Sequence, residues 1–323
     1  MTRALELTLE TIRSEQDGRV LTARVVTPPL NFATSALLRD LDQLTRAVDR
    51  DPTVGAVVLT GGVEGRFLTH ADPLELAEMI DLPHPQLPAA LLEPGLRLQN
   101  IALRLPGLAR AVERHGGAVG KGLVWGYRWK RTTLRMNRSS AVYLAAINGP
   151  TLGGGHELAL ACDLRYAADA DHILLGQIET LAGLIPGGGG TQRLPRMLGT
   201  SRALEHMLEG TPITARHAHE LGLVHKLIEP DQLLAETQAT AARLARRSPV
   251  AIAALKRSVY SASSRPLARG LDCELAGFLA AGSTAAMKRT ITAFREDLAR
   301  YEDTPFLADP QPWIDGTRTD QIS

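Results

Sequence analysis

The segment that most constrains the fold of this chain is a short apolar strand followed by a glycine run and a buried helix. Residues 141–148 read AVYLAAIN, a continuous apolar run of strand length that Gly149-Pro150 ends. Residues 153–155 are three glycines that lead into HELALACD, whose compact apolar pattern is typical of a buried helix. Such a turn lets the backbone approach a ligand and directs unpaired helix N-terminal amides towards it. Tight packing of the helix on the strand would explain the glycines equally well.

Strands and helices alternate before this segment. Residues 20–27 are rich in β-branched side chains and stop at Pro28-Pro29, which predicts a strand and a turn. Residues 34–49 carry apolar side chains at helical spacing, and residues 54–60, VGAVVLT, read as a second buried strand. The order of strand, helix and strand predicts a layered α/β architecture.

The second half of the chain is predicted to be mainly helical. Short strands are expected at residues 173–175 and 223–228, and helices at residues 201–209, 214–221, 231–247, 249–263 and 270–301. Residues 303–323 form a polar, proline-containing tail.

Residues 81–138 differ in character from the rest of the chain. Five prolines interrupt them, namely Pro83, Pro85, Pro88, Pro94 and Pro106. Residues 97–138 carry ten Arg and Lys against one acidic residue, a local balance of +9. Just before them, Asp72, Pro73 and Glu75 offer a cap, a first-turn proline and a glutamate three residues after the cap, so a helix is expected to begin there. We expect an insertion with its own basic, partly helical surface.

Composition excludes several classes of protein. The 323 residues have a net charge of only +1, so no global charge draws the chain to nucleic acid or to an anionic membrane. Cys162 and Cys273 lie in no CxxC or Cys/His cluster, which argues against a disulfide framework and a zinc site. The first fifteen residues contain no apolar core of a secretory signal, and no stretch reads as a membrane span. The expected location is cytoplasmic.

Two carboxylates flank the glycine-rich region. Glu157 follows the glycine run within the first helical turn, and Glu179 follows a predicted strand shortly before the loop at residues 186–190. Two carboxylates that converge on one water can divide acid and base roles, because burial and mutual repulsion separate their pKa values. Spacing along the chain does not by itself prove that they converge.

These motifs resemble the enoyl-CoA hydratase/isomerase, or crotonase, superfamily. The similar segments are PPLN at 28–31, GAVVLTG at 55–61, FLTHAD at 67–72, AAINGPTLGGGHELALACD at 145–163, GQIE at 176–179, IPGGGGTQRL at 185–194 and ITARHAHELGLVHKL at 213–227. The resemblance covers most of residues 15–265, with residues 81–138 as the main gap. It implies a spiral of ββα units in a core over residues 1–265, helices at 266–302 that pack between subunits, and trimers or dimers of trimers.

The resemblance also implies a chemistry. Family members stabilise the enolate of a CoA thioester with two backbone amides, which here match Ala71 and Gly154, and such donors need no reorganisation as negative charge develops. Hydratases carry two glutamates, matched by Glu157, which would activate the attacking water, and Glu179, which would protonate C2. The further substrate-binding candidates are His70, Asp72, Gly153, Pro186 and Gly187. No metal or redox cofactor is expected, because CoA is part of the substrate.

The chain departs from the family pattern in two places. His70 stands where the family usually has glycine, and the insertion at 81–138 replaces a region that normally shapes the acyl pocket, so acyl preference does not carry over. The positive charge of the insertion can serve CoA phosphates, an acidic partner or RNA, or it can be a solvated face.

Three functions therefore remain open on the sequence. Retention of both glutamates favours hydration of a 2-enoyl-CoA. Double-bond isomerisation, or another reaction through a thioester enolate, is the alternative of the same class. The alternative of a different class is a non-catalytic protein that binds a CoA ester, RNA or a partner through the insertion, with Trp125, Tyr127 and Trp129 interleaved among Arg128, Lys130 and Arg131.

Overall fold

The computed structural model describes residues 3–80 and 88–322. Its strands are β1 (Ile12–Asp17), β2 (Val20–Val25), β3 (Ala56–Gly61), β4 (Val142–Ile147), β5 (Thr151–Leu152), β6 (Leu164–Ala168), β7 (Leu174–Gly176), β8 (Ile213–Thr214) and β9 (Lys226–Ile228). Its helices are α1 (Ser35–Val48), α2 (Pro73–Ile80), α3 (Ala89–Ala102), α4 (Leu108–His115), α5 (Gly117–Met136), α6 (Gly154–Ala161), α7 (Gly190–Leu198), α8 (Thr200–Glu209), α9 (Ala215–Glu220), α10 (Leu233–Leu244), α11 (Pro249–Ala262), α12 (Leu267–Gly282), α13 (Ala285–Tyr301), α14 (Pro305–Ala308) and α15 (Gln311–Ile314).

The core is a six-stranded sheet with the order β1-β2-β3-β4-β6-β9. Strand β1 pairs with β2 in antiparallel register, and the other neighbours are parallel. Every residue of β3 and β4 is buried, as expected for central strands covered on both faces. Helix α10 packs against β2, β3, β4 and β6. The predicted α/β class is confirmed.

A second, smaller sheet places the glycine-rich region. Strand β5 pairs in parallel with β7, with Thr151 opposite Leu175 and Leu152 opposite Gly176, and β8 pairs antiparallel with β7. Helix α6 follows β5 after one residue, and a short 3-10 helix that begins at Glu179 follows β7. Because parallel strands end at the same edge, the segments that carry the two candidate carboxylates leave the sheet side by side.

The insertion is helical in its described part, and its last helix belongs to the core. Residues 81–87, with Pro83 and Pro85, lie outside the described residues. Helix α5 packs against α1 and buries Tyr127 and Trp129. The buried Arg128 donates two hydrogen bonds to the Glu113 carboxylate. The expected basic surface is therefore carried by exposed cations of the insertion such as Lys130, and not by Arg128.

Several sequence-based boundaries differ from the structure. The segment predicted to be helical at 270–301 is two helices, α12 and α13, because the Thr284 hydroxyl accepts a hydrogen bond from Met287 N and caps a new helix. Asp72 caps α2 as predicted, through Leu74 N, whereas Glu75 accepts hydrogen bonds from the backbone and hydroxyl of Ser35 at the start of α1.

The C-terminal segment folds back onto the helices before it. Residues 303–323, described up to 322, contain α14 and α15, and α15 carries the buried Trp313. Arg318 forms ion pairs with Asp297 and Glu296 on α13. Among the helices of residues 3–80 and 88–322, none combines the length and the apolar character that a membrane crossing needs.

Candidate active site

One wall of the site is the segment at residues 67–72, which neighbouring loops hold in place. Asn31, fully buried after the Pro28-Pro29 turn, accepts a hydrogen bond from Thr27 N on Oδ1 and donates one to the Phe67 carbonyl. Thr69 N donates to the Asn31 carbonyl, and Ala33 N donates to the His70 carbonyl. These contacts fix the backbone that leads into Ala71.

The two predicted oxyanion donors border the same space. A Cβ atom on Gly154 would lie 3.7 Å from Ala71 N. Within the described residues, neither the Ala71 N–H nor the Gly154 N–H has an intramolecular acceptor. The close approach depends on Gly155, where a Cβ would lie 1.9 Å from the Leu68 carbonyl oxygen. Two amides without acceptors in the described part of the chain, one of them at the N-terminus of α6, form a ready site for a developing negative charge.

Glu157 is buried in the first turn of α6 and bound by a second glycine loop. Its Oε1 accepts hydrogen bonds from Gly188 N and Gly190 N, each 2.7 Å long. Burial raises the pKa of Glu157, while these amides and the nearby Arg193 guanidinium act in the opposite direction. The carboxylate is therefore fixed in orientation but remains able to take up a proton.

Glu179 lies across the glycine run from Glu157 and is half-buried. A Cβ on Gly153 would lie 3.1 Å from Glu179 Oε1 and would displace the carboxylate by a few tenths of an ångström, and the φ of 47° at this position itself favours glycine. Burial, together with the negative charge of Glu157, raises the pKa of Glu179 to about 7. The structure thus brings the two predicted carboxylates to one site, in different environments.

Trp129 of α5 closes the site behind Glu157. Its Nε1 donates a hydrogen bond of 2.7 Å to the Gly188 carbonyl, and its ring edge lies 3.5 Å from where a Gly154 Cβ would be. A Cβ on Gly188 would lie 2.2 Å from Trp129 Nε1 and 2.5 Å from Glu157 Oε2. The sequence analysis named Trp129 only among the aromatic residues of the insertion and did not place it at the site.

The other sequence-predicted residues lie at varying distance from this centre. His70 is half-buried beside the Phe32 ring, with Nδ1 2.8 Å from the Ala71 carbonyl oxygen. The Asp72 carboxylate is engaged in capping α2. Pro186 is buried, and a Cβ on Gly190 would lie 2.9 Å from the Pro186 Cβ. Gly187 is exposed. Direct contact of these residues with a substrate stays a prediction.

A further polar residue at the site, Gln177, was missed by the sequence reasoning. Gln177 is buried two residues before Glu179, and its amide lies between the Glu179 carboxylate and His156 Nδ1. The GQIE motif contained Gln177, but only its buried neighbours show what the amide contacts. In the described part of the chain, no group of three or more His, Cys, Asp or Glu residues is placed to hold a metal ion.

The fold and the site together define a class of protein. A crotonase-type core places two backbone amides, without acceptors among the described residues, beside the buried Glu157 and the half-buried Glu179. The family model described as enoyl-CoA hydratase/isomerase matches residues 126–304.

Individual relatives agree with this class. The chain is 32% identical over 267 residues to a mitochondrial enoyl-CoA hydratase of Pongo abelii, covering 83% of this chain and 77% of that protein. It is 28% identical to a short-chain-enoyl-CoA hydratase of Clostridium acetobutylicum, over 89% and 95% of the two chains. A crystal structure of an enoyl-CoA hydratase from Bacillus anthracis superposes with a TM-score of 0.70 at 27% identity, over 89% and 97% of the chains. The chain belongs to the enoyl-CoA hydratase/isomerase family.

Proposed function

We propose that the protein is an enoyl-CoA hydratase, which adds water across the C2–C3 double bond of a 2-enoyl-CoA. The observation that carries the proposal is the meeting of Glu157 and Glu179 at a turn with two amides that lack acceptors among the described residues. Hydration needs one group to accept a proton from water and another to give a proton to carbon, and these two carboxylates differ in environment as such a division requires.

In the proposed reaction, the thioester oxygen binds to the amides of Ala71 and Gly154. Because Gly188 N and Gly190 N both bind Oε1 of Glu157, Oε2 is the oxygen that we assign to the water. Oε2 takes the proton as the water oxygen bonds to C3. The electrons of the double bond pass to the thioester as an enolate, which each amide stabilises by about 3 kcal/mol.

The second half of the reaction protonates C2. Glu179 gives its proton to C2, the enolate collapses to the thioester, and the product is a 3-hydroxyacyl-CoA. Exchange with solvent then removes the proton from Glu157 and restores the one on Glu179. One water is consumed and no electrons pass to another molecule, so the proposal includes no redox cofactor.

The experiment that tests this proposal measures hydration of a panel of 2-enoyl-CoA esters by the purified protein. Glu157→Gln and Glu179→Gln should each lower kcat by at least about a hundredfold, since each removes one proton transfer. Glu205→Gln, which changes an exposed carboxylate on α8, is the matched control. Absence of hydration on every chain length, with CoA esters still bound, would refute the proposal.

Isomerisation of a 3-enoyl-CoA is the second candidate, and the state of Glu179 favours it. A single carboxyl with a pKa near 7 can remove a proton from C2 and return one to C4 without a bound water. Supplying 3-enoyl and 2-enoyl esters separately distinguishes the two reactions. If the protein is an isomerase, Glu157→Gln should leave turnover of the 3-enoyl ester almost unchanged.

Binding of RNA through the insertion is disfavoured, because two of the basic side chains that the sequence suggested for it make contacts within the protein. Arg128 is buried against Glu113, and Arg131 donates to the Tyr127 hydroxyl. The Arg128 guanidinium is thereby committed within the protein, whereas a phosphate contact needs accessible donors. The half-buried Arg131 is only partly engaged, through one hydrogen bond.

We also propose that the protein assembles as a trimer or a dimer of trimers. In support, α12 has no buried residue and α11 buries only Lys256, yet both helices present large apolar side chains to solvent. These include Leu255, Val259, Leu271, Leu275 and Phe278. Apolar surface of this extent is typical of subunit contacts. Light scattering with chromatography would measure the mass, and a monomer would refute the proposal. The cytoplasmic location stays a prediction.

A further inference from the structure

His156 is a buried imidazole beside the proposed catalytic pair that the proposed mechanism does not use. The residue is fully buried in the first turn of α6. Its Nδ1 lies 3.1 Å from the side-chain amide of Gln177, and within the described residues its Nε2 has no hydrogen-bond partner. A buried polar group that is bound on one side only calls for an explanation.

The Gln177 amide has two possible orientations, and only one satisfies its neighbours. In the first orientation, the amide oxygen lies 3.1 Å from His156 Nδ1, and the amide nitrogen lies 3.1 and 3.2 Å from the two Glu179 oxygens. In the reverse orientation, the amide oxygen would face a carboxylate. Two acceptors in contact repel each other, so the first orientation is favoured whenever Glu179 is ionised.

The hydrogen-bonding state of His156 decides which orientation holds. Burial, together with the neighbouring His206 and Arg165, lowers the pKa of His156 to about 3 against the opposing effect of the Gly176 carbonyl, so the ring is neutral and carries one proton. We assign this proton to Nδ1, which faces the Gln177 amide oxygen in the first orientation, because Nε2 has no partner among the described residues. His206 is the ring packed against it, with centroids 6.3 Å apart, and its Nε2 is also buried without a partner in the described residues.

We infer that His156 is a positioning residue whose Nδ1–H holds the Gln177 amide with its nitrogen towards Glu179. The inference rests on the proposed function, in which Glu179 protonates C2. In this inference, side-chain contacts run from His156 through Gln177 to Glu179 and orient the acid. A donor from Gln177 also stabilises the ionised form of Glu179 and so opposes the effects of burial and of the charge of Glu157.

Two nearly isosteric substitutions separate this role from packing. Asn places its amide nitrogen close to the position of His Nδ1, whereas Leu fills the same volume without a donor. His156→Leu should lower kcat by about ten- to a hundredfold with KM little changed, because Glu179 is no longer held in line. In His156→Leu, the pH at which activity falls on the alkaline side should rise by about one unit, because Glu179 holds its proton more tightly without the Gln177 donor. His156→Asn should keep both values near those of the parent protein.

A second background tests the connection through the amide. In Gln177→Leu there is no amide to orient, so adding His156→Leu should lower kcat no further. If His156→Leu and His156→Asn behave alike, or if their effects persist unchanged in the Gln177→Leu background, the inference is wrong and His156 only fills space.

The tautomer can be measured without turnover. In ¹⁵N-histidine-labelled protein, NMR distinguishes protonated from unprotonated ring nitrogens, and the signal lost in His156→Asn identifies His156. Protonated Nδ1 is expected, and protonation of Nε2 would overturn the inference. Absence of hydration by the parent protein would instead refute the proposed function, while this spectrum would still decide the His156–Gln177 contact.

Discussion

Gly188→Ala is the substitution that most directly tests the geometry of the site. Gly188 connects three of its parts, since its N–H binds Glu157 Oε1, its carbonyl accepts from Trp129 Nε1, and its Cα faces both side chains. An added Cβ would lie 2.2 Å from Trp129 Nε1 and 2.5 Å from Glu157 Oε2. The backbone angle φ of Gly188 is not positive, so crowding and not backbone strain is the expected cause of any effect.

The size of the effect follows from these distances. Ordinary contact begins at 3.4 Å, so the indole and the carboxylate must each withdraw by about 1 Å. A displacement of this size at a reacting group costs about a hundredfold in rate. Overpacking of a filled interior costs about 1–3 kcal/mol of unfolding free energy. We expect Gly188→Ala to fold with lowered stability and to lose at least about 99% of kcat.

The neighbouring glycine provides the control. Gly187 is exposed, and no atom lies within 4 Å of a Cβ at that position. Gly187→Ala should therefore change the unfolding free energy by less than about 0.5 kcal/mol and leave kcat unchanged, and a raised KM would show that it borders the substrate. Denaturant unfolding and steady-state hydration measure both variants. Equal kcat for Gly188→Ala and the parent protein would refute the geometry described for Glu157.

Three further predictions follow from buried groups. Hydration should show a bell-shaped pH profile, because activity requires ionised Glu157 and protonated Glu179. The rate should fall as the pH rises through about 7. A rate that still rises there would contradict the assignment of Glu179 as the acid. Lys256→Met should lower the unfolding free energy by about 3 kcal/mol, because it leaves the half-buried Asp163 carboxylate without its ion pair, and KM should not change. Unchanged stability in a denaturant titration would contradict this prediction. Trp129→Phe keeps an aromatic ring but loses the hydrogen bond to the Gly188 carbonyl, so kcat should fall about tenfold. Trp125 makes no such hydrogen bond among the described residues, so the control Trp125→Phe should leave kcat unchanged.

The sequence predicted the elements that have a simple apolar period. Strands β3 and β4 and helix α1 lie where their patterns placed them, because each buries side chains at a regular spacing. Helix α7 was missed because it begins in a glycine-rich loop and contains Pro195, both of which normally argue against a helix.

The candidate site divides in the same way. Glu157 and Glu179 were found because they stand in motifs, and the pairing of β5 with β7 supplies the physical reason that they meet. The partners of these carboxylates were not predictable. Gly188 and Gly190 are 31 and 33 residues from Glu157, and Gln177 is 21 residues from His156. No local pattern encodes such contacts, because they depend on how separate loops pack.

The insertion shows how a departure from the family pattern can still be part of the site. Its charge drew attention to the surface, but the side chain that contacts the site is the uncharged Trp129, which helix α5 carries into the core. Helix α5 also packs against α1, whose first turn is bound by Glu75 of α2. Helix α2 in turn begins directly after Ala71 and Asp72. A change in α5 can therefore reach both the glycine loop that holds Glu157 and the segment that carries one oxyanion amide.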